Sequence, residues 1–184
     1  PEVRGALLRS ETAAGAPLLG FVEAGIVGEK IGCNGHGIGL AINGITTTED
    51  DWSRLRTPFH ARTWKILRSA TVDAALSVVL DEPRSCSTNF LIGATPDIAV
   101  DLEAAPDRHR VVVARDGVLT HANHFVDPVG TGIVEPPNPR RIFSHRREAR
   151  LWELLSERRP LTVASVQEAL RDTRDDPFGI SRHR

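Results

Sequence analysis

Residues 23–48 read EAGIVGEKIGCNGHGIGLAINGITTT, and this stretch decides the fold. Two runs of β-type residues flank Asn34-Gly35. Asn-Gly between such runs predicts a two-residue hairpin turn with positive φ at both positions. Residues 18–27 read as a strand buried on at least one face. A looser Gly28-Glu29-Lys30 bulge follows, and 31–33 resume the strand. Residues 36–45 return as its partner, with Ile38, Leu40 and Ile42 alternating on one face. Four of the fifteen glycines fall in residues 32–39. Their spacing fits neither a dinucleotide fingerprint nor a P-loop, and a strand follows them instead of a helix. They therefore read as turn residues, with Asn43 near the end of the second strand.

Upstream, residues 3–10 form a further candidate strand. Downstream, a polar loop over 46–56 leads to Thr57-Pro58, a helix start with Thr57 at the N-cap. Thr71 caps a second helix, whose first turn carries Asp73. Residues 87–94 are strand-like, and 98–103 alternate apolar with polar or small side chains. Residues 110–114 and 118–122 flank Asp116-Gly117 as a second hairpin. A Gly- and Pro-rich loop over 123–139 precedes a helix over 144–158. A last helix starts near Thr162 or Ser165, with Ser165 and Glu168 as a capping box. Residues 178–184 are left without a partner. Hairpins outnumber βαβ units, so the class is α+β: antiparallel sheets with helices layered on them. No linker divides the chain, and residues 1–184 read as a single domain.

The 184 residues are 40% hydrophobic and 26% charged, ordinary for a globular protein, with a formal net charge of −1. That balance provides no field for nucleic acid or an anionic membrane. No apolar run approaches the roughly 18 residues of a membrane span. No signal peptide is visible, and two cysteines make no disulfide framework. A reducing, cytoplasmic setting is the expectation. The chain opens on Pro1 and contains no Met, which suggests a processed chain or a fragment. The basic run over 140–150 reads as a solvated helix entrance. Cys33-x-x-His36 and His121-x-x-His124 each offer two ligands where zinc needs three or four, so no metal and no cofactor is expected. Cys86 reads as a buried small residue and not a nucleophile.

His121-Ala-Asn-His-Phe125 gathers polar side chains at a strand end before the loop. Asn123 there can offer its amide N–H to a developing oxyanion, or serve as a structural turn residue. Glu23-Ala-Gly-Ile-Val-Gly28, Lys30-Ile-Gly32, Asn34 and Gly37-Ile-Gly-Leu-Ala-Ile-Asn43 resemble the acyl-CoA:6-aminopenicillanic acid acyltransferase (isopenicillin-N acyltransferase) family. His121-Ala-Asn-His124 is similar to its His-Thr-Asn-His element. Ser144-x-x-Arg147-x-x-Arg150-x-x-Glu153-Leu-Leu155 resembles the helix that follows, and Asp176-Pro-Phe-Gly-Ile-Ser-Arg182 a later loop.

The resemblance implies an N-terminal nucleophile hydrolase fold, an αββα sandwich, here incomplete. It implies a Cys at the N-terminus of a self-cleaved precursor, attacking an acyl donor to form a thioester with its own α-amino group as base. That Cys would lie upstream of this chain, and closing strands would follow it. The resemblance makes Asn123 an oxyanion donor and sets Asn43 at a strand end facing the nucleophile. Gly44 and His124 are the substrate-binding positions beside them, His124 supporting Asn123 or only packing.

The expected activity is Cys-dependent acyl transfer or amide hydrolysis on a small-molecule amide or acyl-CoA, with this chain alone inactive. A companion segment carrying the nucleophile is the expected partner. Sheet edges left unpaired also invite homo-oligomers. The alternative is a non-catalytic homologue, a binding or assembly module.

Overall fold

The computed structural model describes residues 4–181; Pro1 and Arg182, named above, lie outside them. Seven strands form one antiparallel sheet in chain order: β1 Gly5–Glu11, β2 Pro17–Glu23, β3 Ile31–Asn34, β4 Ile38–Asn43, β5 Thr88–Ala94, β6 Ile98–Ala104 and β7 His109–Val112. Between β4 and β5 the chain leaves the sheet to form α1 (Phe59–Ile66) and α2 (Val72–Leu80). After β7 come α3 (Arg141–Glu157) and α4 (Val163–Leu170). The class is α+β, as the sequence pattern predicts, and the described residues supply one sheet of a layered sandwich.

Alternation along the strands separates two faces. Leu18, Ile38, Leu40, Phe90, Ile92, Leu102 and Ala104 share one face, where they pack with Ile66, Leu67, Ala75 and Val79 of the α1–α2 region. The register places Asn43 opposite Asn89, Asn89 opposite Glu103, and Leu91 opposite Asp101 on the other face. At the β6 end this second face is polar and enclosed, while Leu19 and Cys33 lie exposed on it near the β1 edge. The polar end positions the site described below.

Several local expectations are corrected. The 34–37 turn is not the two-residue hairpin form, since Gly37 is the residue there with positive φ, at 84°. Asn34 instead accepts the N–H groups of His36 and Ile38 through Oδ1 and donates to the Leu67 and Ser69 carbonyls. Its amide thus joins the hairpin to the end of α1, a role that sequence spacing does not encode. Pro58, not Thr57, holds the cap position of α1, with no side-chain cap bond. Thr71 does cap α2, accepting from the Ala74 N–H. Asp116 and Gly117 both have positive φ, so that turn forms as read. Residues beyond it make only the isolated Arg115–Val118 bridge, and β7 pairs with β6 instead. The 118–122 segment is drawn off the sheet by side-chain partners: Thr120 Oγ1 donates to Glu148 of α3, and His121 meets Glu103. The capping box of α4 is Thr162 with Ser165, one turn earlier than Ser165 with Glu168. Phe178 does have a partner, stacking on Phe143 at 4.2 Å. Among the described residues no helix is long and apolar enough to cross a membrane.

Candidate active site

β4 ends at Asn43, and the chain turns away from the sheet at Gly44. Two side-chain amides stitch this end to the loop at 121–123. Asn43 Nδ2 donates to the His121 carbonyl at 3.1 Å, and Asn123 Nδ2 donates to the Gly44 carbonyl at 3.0 Å. Residues 78 or more apart in sequence are thereby fixed side by side. The Asn43 carboxamide is thus committed to bracing the loop. Gly44 lies past the last strand residue, and among the described residues no partner strand claims its N–H.

Asn123 is held from three directions. Its backbone N–H donates to Ser144 Oγ at 2.6 Å, and its Oδ1 accepts from Arg147 Nη2 at 2.9 Å. The Arg147 guanidinium can only donate, so this bond fixes which end of the carboxamide is oxygen. The amide nitrogen then faces Gly44, with one N–H on the carbonyl and a second still to give. Ser144 and Arg147 lie on consecutive turns of α3, an i, i+3 pair on one helix face.

His124 sits behind this frame, almost wholly buried, with Nδ1 2.9 Å from Ser144 Oγ. Burial, then the neighbouring His145, His121, Arg147 and Arg141, pushes its pKa down to about 3. The ring is therefore neutral at ordinary pH. Ser144 Oγ accepts from the Asn123 N–H and lies within hydrogen-bond distance of His124 Nδ1, a link that keeps the Asn123 backbone in place. His124 thus packs behind Asn123 and is joined to it through Ser144. As pH falls from the ordinary histidine value of 6.5 toward 3, the unfolded chain takes a proton that the folded one refuses. Stability contributed by neutral His124 is lost across that window.

A second polar group lies beneath His121. Its Nε2 is 3.0 Å from Glu103 Oε1, which also accepts the Val126 N–H at 2.6 Å. Asp101, two residues along the same face, is fully buried, and neither of its oxygens has a hydrogen-bond partner. Burial raises its pKa to about 6 from an ordinary 3.8, with His121 and the nearby Asn89 amide pulling the other way and Glu103 adding to the rise. Between those values the folded state binds more protons, so stability falls as pH rises through about 6. Asp101→Asn should therefore stabilise the protein at pH 8 by about 2–3 kcal/mol, at about 1.4 kcal/mol per pKa unit. The gain should vanish near pH 3. Urea midpoints at the two pH values check this, and an equal gain at both would contradict it.

Asn43, Gly44 and Asn123 line one cavity of about 370 Å³. Its other walls are Ile42, Ile45, Trp52, Phe59 and Cys86 together with Lys30, Thr46, Ser87 and Thr88, so apolar surface surrounds a set of polar groups. Burial, with Asp50 nearby, raises the Cys86 thiol pKa above its ordinary value, which disfavours the thiolate. Cys33 is exposed in β3, on the strand and outside this cavity. Among the described residues no group of three or more His, Cys, Asp or Glu side chains is placed to hold a metal. Of the residues singled out from sequence, Asn43, Gly44 and Asn123 come together here and His124 stands behind them. In the sequence Ser144 and Arg147 stand out only as part of a helix motif, with their i, i+3 spacing as the available signal. Nothing local marked Trp52 and Phe59 as cavity walls.

The sequence matches the family described as Acyl-coenzyme A:6-aminopenicillanic acid acyl-transferase over residues 12–183. Among curated proteins none matches significantly. Among solved structures the chain is similar to a Caenorhabditis elegans N-acylethanolamine-hydrolyzing acid amidase (NAAA) ortholog, an N-terminal nucleophile hydrolase fold, with a TM-score of 0.61 and 14% identity. That likeness covers 95% of this chain and 83% of the other, and at this identity it shows the fold alone.

Proposed function

The chain belongs to the acyl-coenzyme A:6-aminopenicillanic acid acyl-transferase family, and we propose that its protein carries out acyl transfer or amide hydrolysis through a Cys thioester. The observation that carries the reading is the convergence of Asn43, Gly44 and Asn123 on one mostly apolar cavity. The acyl group lies against Ile42, Ile45 and Phe59, and its carbonyl oxygen lies by Asn123 and the Gly44 N–H. Neither cysteine of this chain suits the attack, because Cys33 is outside the cavity and Cys86 holds its proton. By analogy with that family, the nucleophile is the N-terminal Cys of the processed protein, carried on a companion segment.

Its thiol gives its proton to its own α-amino group as sulfur bonds to the acyl carbon. The tetrahedral oxyanion takes the second N–H of Asn123 and the Gly44 N–H, preorganised donors in a partly dry site. Collapse breaks the bond to nitrogen, or to the sulfur of coenzyme A, and the leaving group departs with the proton from the α-ammonium. Water or an amine then attacks the thioester, loses a proton to the same base, and releases the Cys.

Turnover of an N-acyl amide and of an acyl-CoA by the full-length protein tests this. Activity should survive Cys86→Ala and Cys33→Ala within about threefold, because neither forms the thioester. Complete loss on Cys86→Ala would move the nucleophile into this chain. Turnover of neither substrate would favour a binding module.

A further inference from the structure

Residues 119–126 lie outside every helix and strand and make no backbone–backbone hydrogen bond among the described residues. Asn123 sits in this segment and is exposed. A donor on such a loop is only as fixed as the side chains that hold the loop. Ser144, Arg147 and Glu135 bond to Asn123 and Phe125. Glu103 of β6 does something different. Its Oε1 lies 3.0 Å from His121 Nε2 and accepts the Val126 N–H at 2.6 Å, so one oxygen grips residues on either side of Asn123. A carboxylate oxygen only accepts, which puts the His121 proton on Nε2. Nδ1 then faces Asn43 Nδ2 at 3.5 Å, while that same amide donates to the His121 carbonyl. The Glu103 and His121 side chains are 0% and 1% exposed, so water does not compete for the bond between them.

Glu103 is a costly residue if it serves stability alone. Its Oε2 is buried without a hydrogen-bond partner, and Asp101, another carboxylate with unpartnered oxygens, lies two residues along the same face. A buried charge with an unmet oxygen destabilises a fold where a neutral side chain would not. A charged acceptor does make shorter and stronger bonds than a neutral one, as the Val126 contact shows. We propose that Glu103 is a positioning residue for the reaction: by clamping both ends of residues 121–126, with the His121 ring as intermediary at one end, it holds the Asn123 amide where the oxyanion forms. This rests on the reading above, in which Asn123 is an oxyanion donor. Misplacing a group by about 1 Å can lower a rate by about 10², so the clamp acts on kcat. His121 thereby has a task distinct from that of His124, which packs behind the loop.

A double-mutant cycle in the full-length protein, turning over one N-acyl amide, tests the proposal, with kcat taken per folded protein. Glu103→Leu should lower kcat by about 10–30-fold and change KM by less than about threefold. In an Asn123→Ala background the same substitution should cost less than about threefold, because the donor that it positions is gone. Glu103→Gln keeps an acceptor oxygen and should lose clearly less than Glu103→Leu. Should Glu103→Leu fail to fold, His121→Phe takes its place in the cycle. It releases one end of the loop and should lower kcat by about tenfold, again only where Asn123 is present. His121→Gln, whose amide can still donate to Glu103, should recover most of that loss. Equal losses with and without Asn123 would make the clamp an element of stability alone and overturn the proposal. A kcat within about threefold in Glu103→Leu, beside a full loss on Asn123→Ala, would overturn it too and leave the reading above standing. Turnover of neither an N-acyl amide nor an acyl-CoA, or an Asn123→Ala variant as fast as the unsubstituted protein, would remove that reading and this proposal with it.

Discussion

Asn123→Ala in the full-length enzyme should lower kcat by about 10²–10³, the usual cost of losing one oxyanion donor, about 2.7–4 kcal/mol of barrier. KM should change little, because the bond to the oxygen strengthens only as charge develops on it. Asn123→Asp should be at least as damaging, since it keeps the shape, removes the donor and brings a negative charge to the oxyanion. Steady-state kinetics on one amide substrate suffices. A loss below about threefold would reduce Asn123 to a stitch between the 121–123 loop and the Gly44 carbonyl. The size of the effect depends on rigidity, and Ser144, Arg147 and Gly44 each hold a different atom of the residue.

Phe90→Ala should destabilise the fold by about 3–5 kcal/mol, read as a shift in the urea midpoint at constant slope. Phe90 lies in β5, 1% exposed, between Ile42 and Leu102 of the flanking strands, with Phe59 of α1 6.3 Å away. Its removal leaves a void where the sheet meets α1, and the surrounding strands cannot collapse without losing register. The same face carries Ile42, a wall of the apolar cavity, so acyl-group affinity should fall along with stability. A change below about 1 kcal/mol would mean that the α1–α2 layer is not packed as described.

The sheet was legible because its strands alternate or run apolar between strong turn residues. The strands through β6 fall within a few residues of their expected places, but 18–33, read as one strand loosened at Gly28-Glu29-Lys30, is two: β2 and β3 pair antiparallel with Phe21 opposite Ile31, so the chain reverses over 24–30 instead of bulging. The last hairpin misled because residues 118–122 carry a strand-like pattern, yet Thr120 and His121 find better partners in Glu148 and Glu103 than in a ladder. Asn34-Gly35 misled in conformation only, since the Asn34 side chain was wanted for capping both its own turn and the α1 end. At the site, Asn43 carries its amide at a strand end and Asn123 at the end of a strand-like run, and a sequence displays both patterns. Ser144, Arg147 and the arginines beside them act through tertiary contacts across the chain, and those follow only from the fold.

The proposed function requires that Asn123 and Gly44 serve a thioester formed on a Cys outside this chain. Acid quench of the full-length protein during turnover of an activated acyl ester, followed by intact-mass and peptide mass spectrometry, tests it most directly. One acyl group per protein is expected, released by hydroxylamine and mapped to an N-terminal Cys, with its formation slowed by Asn123→Ala. An acyl group on Cys33 or Cys86, or turnover with no acyl adduct at any time, would contradict it.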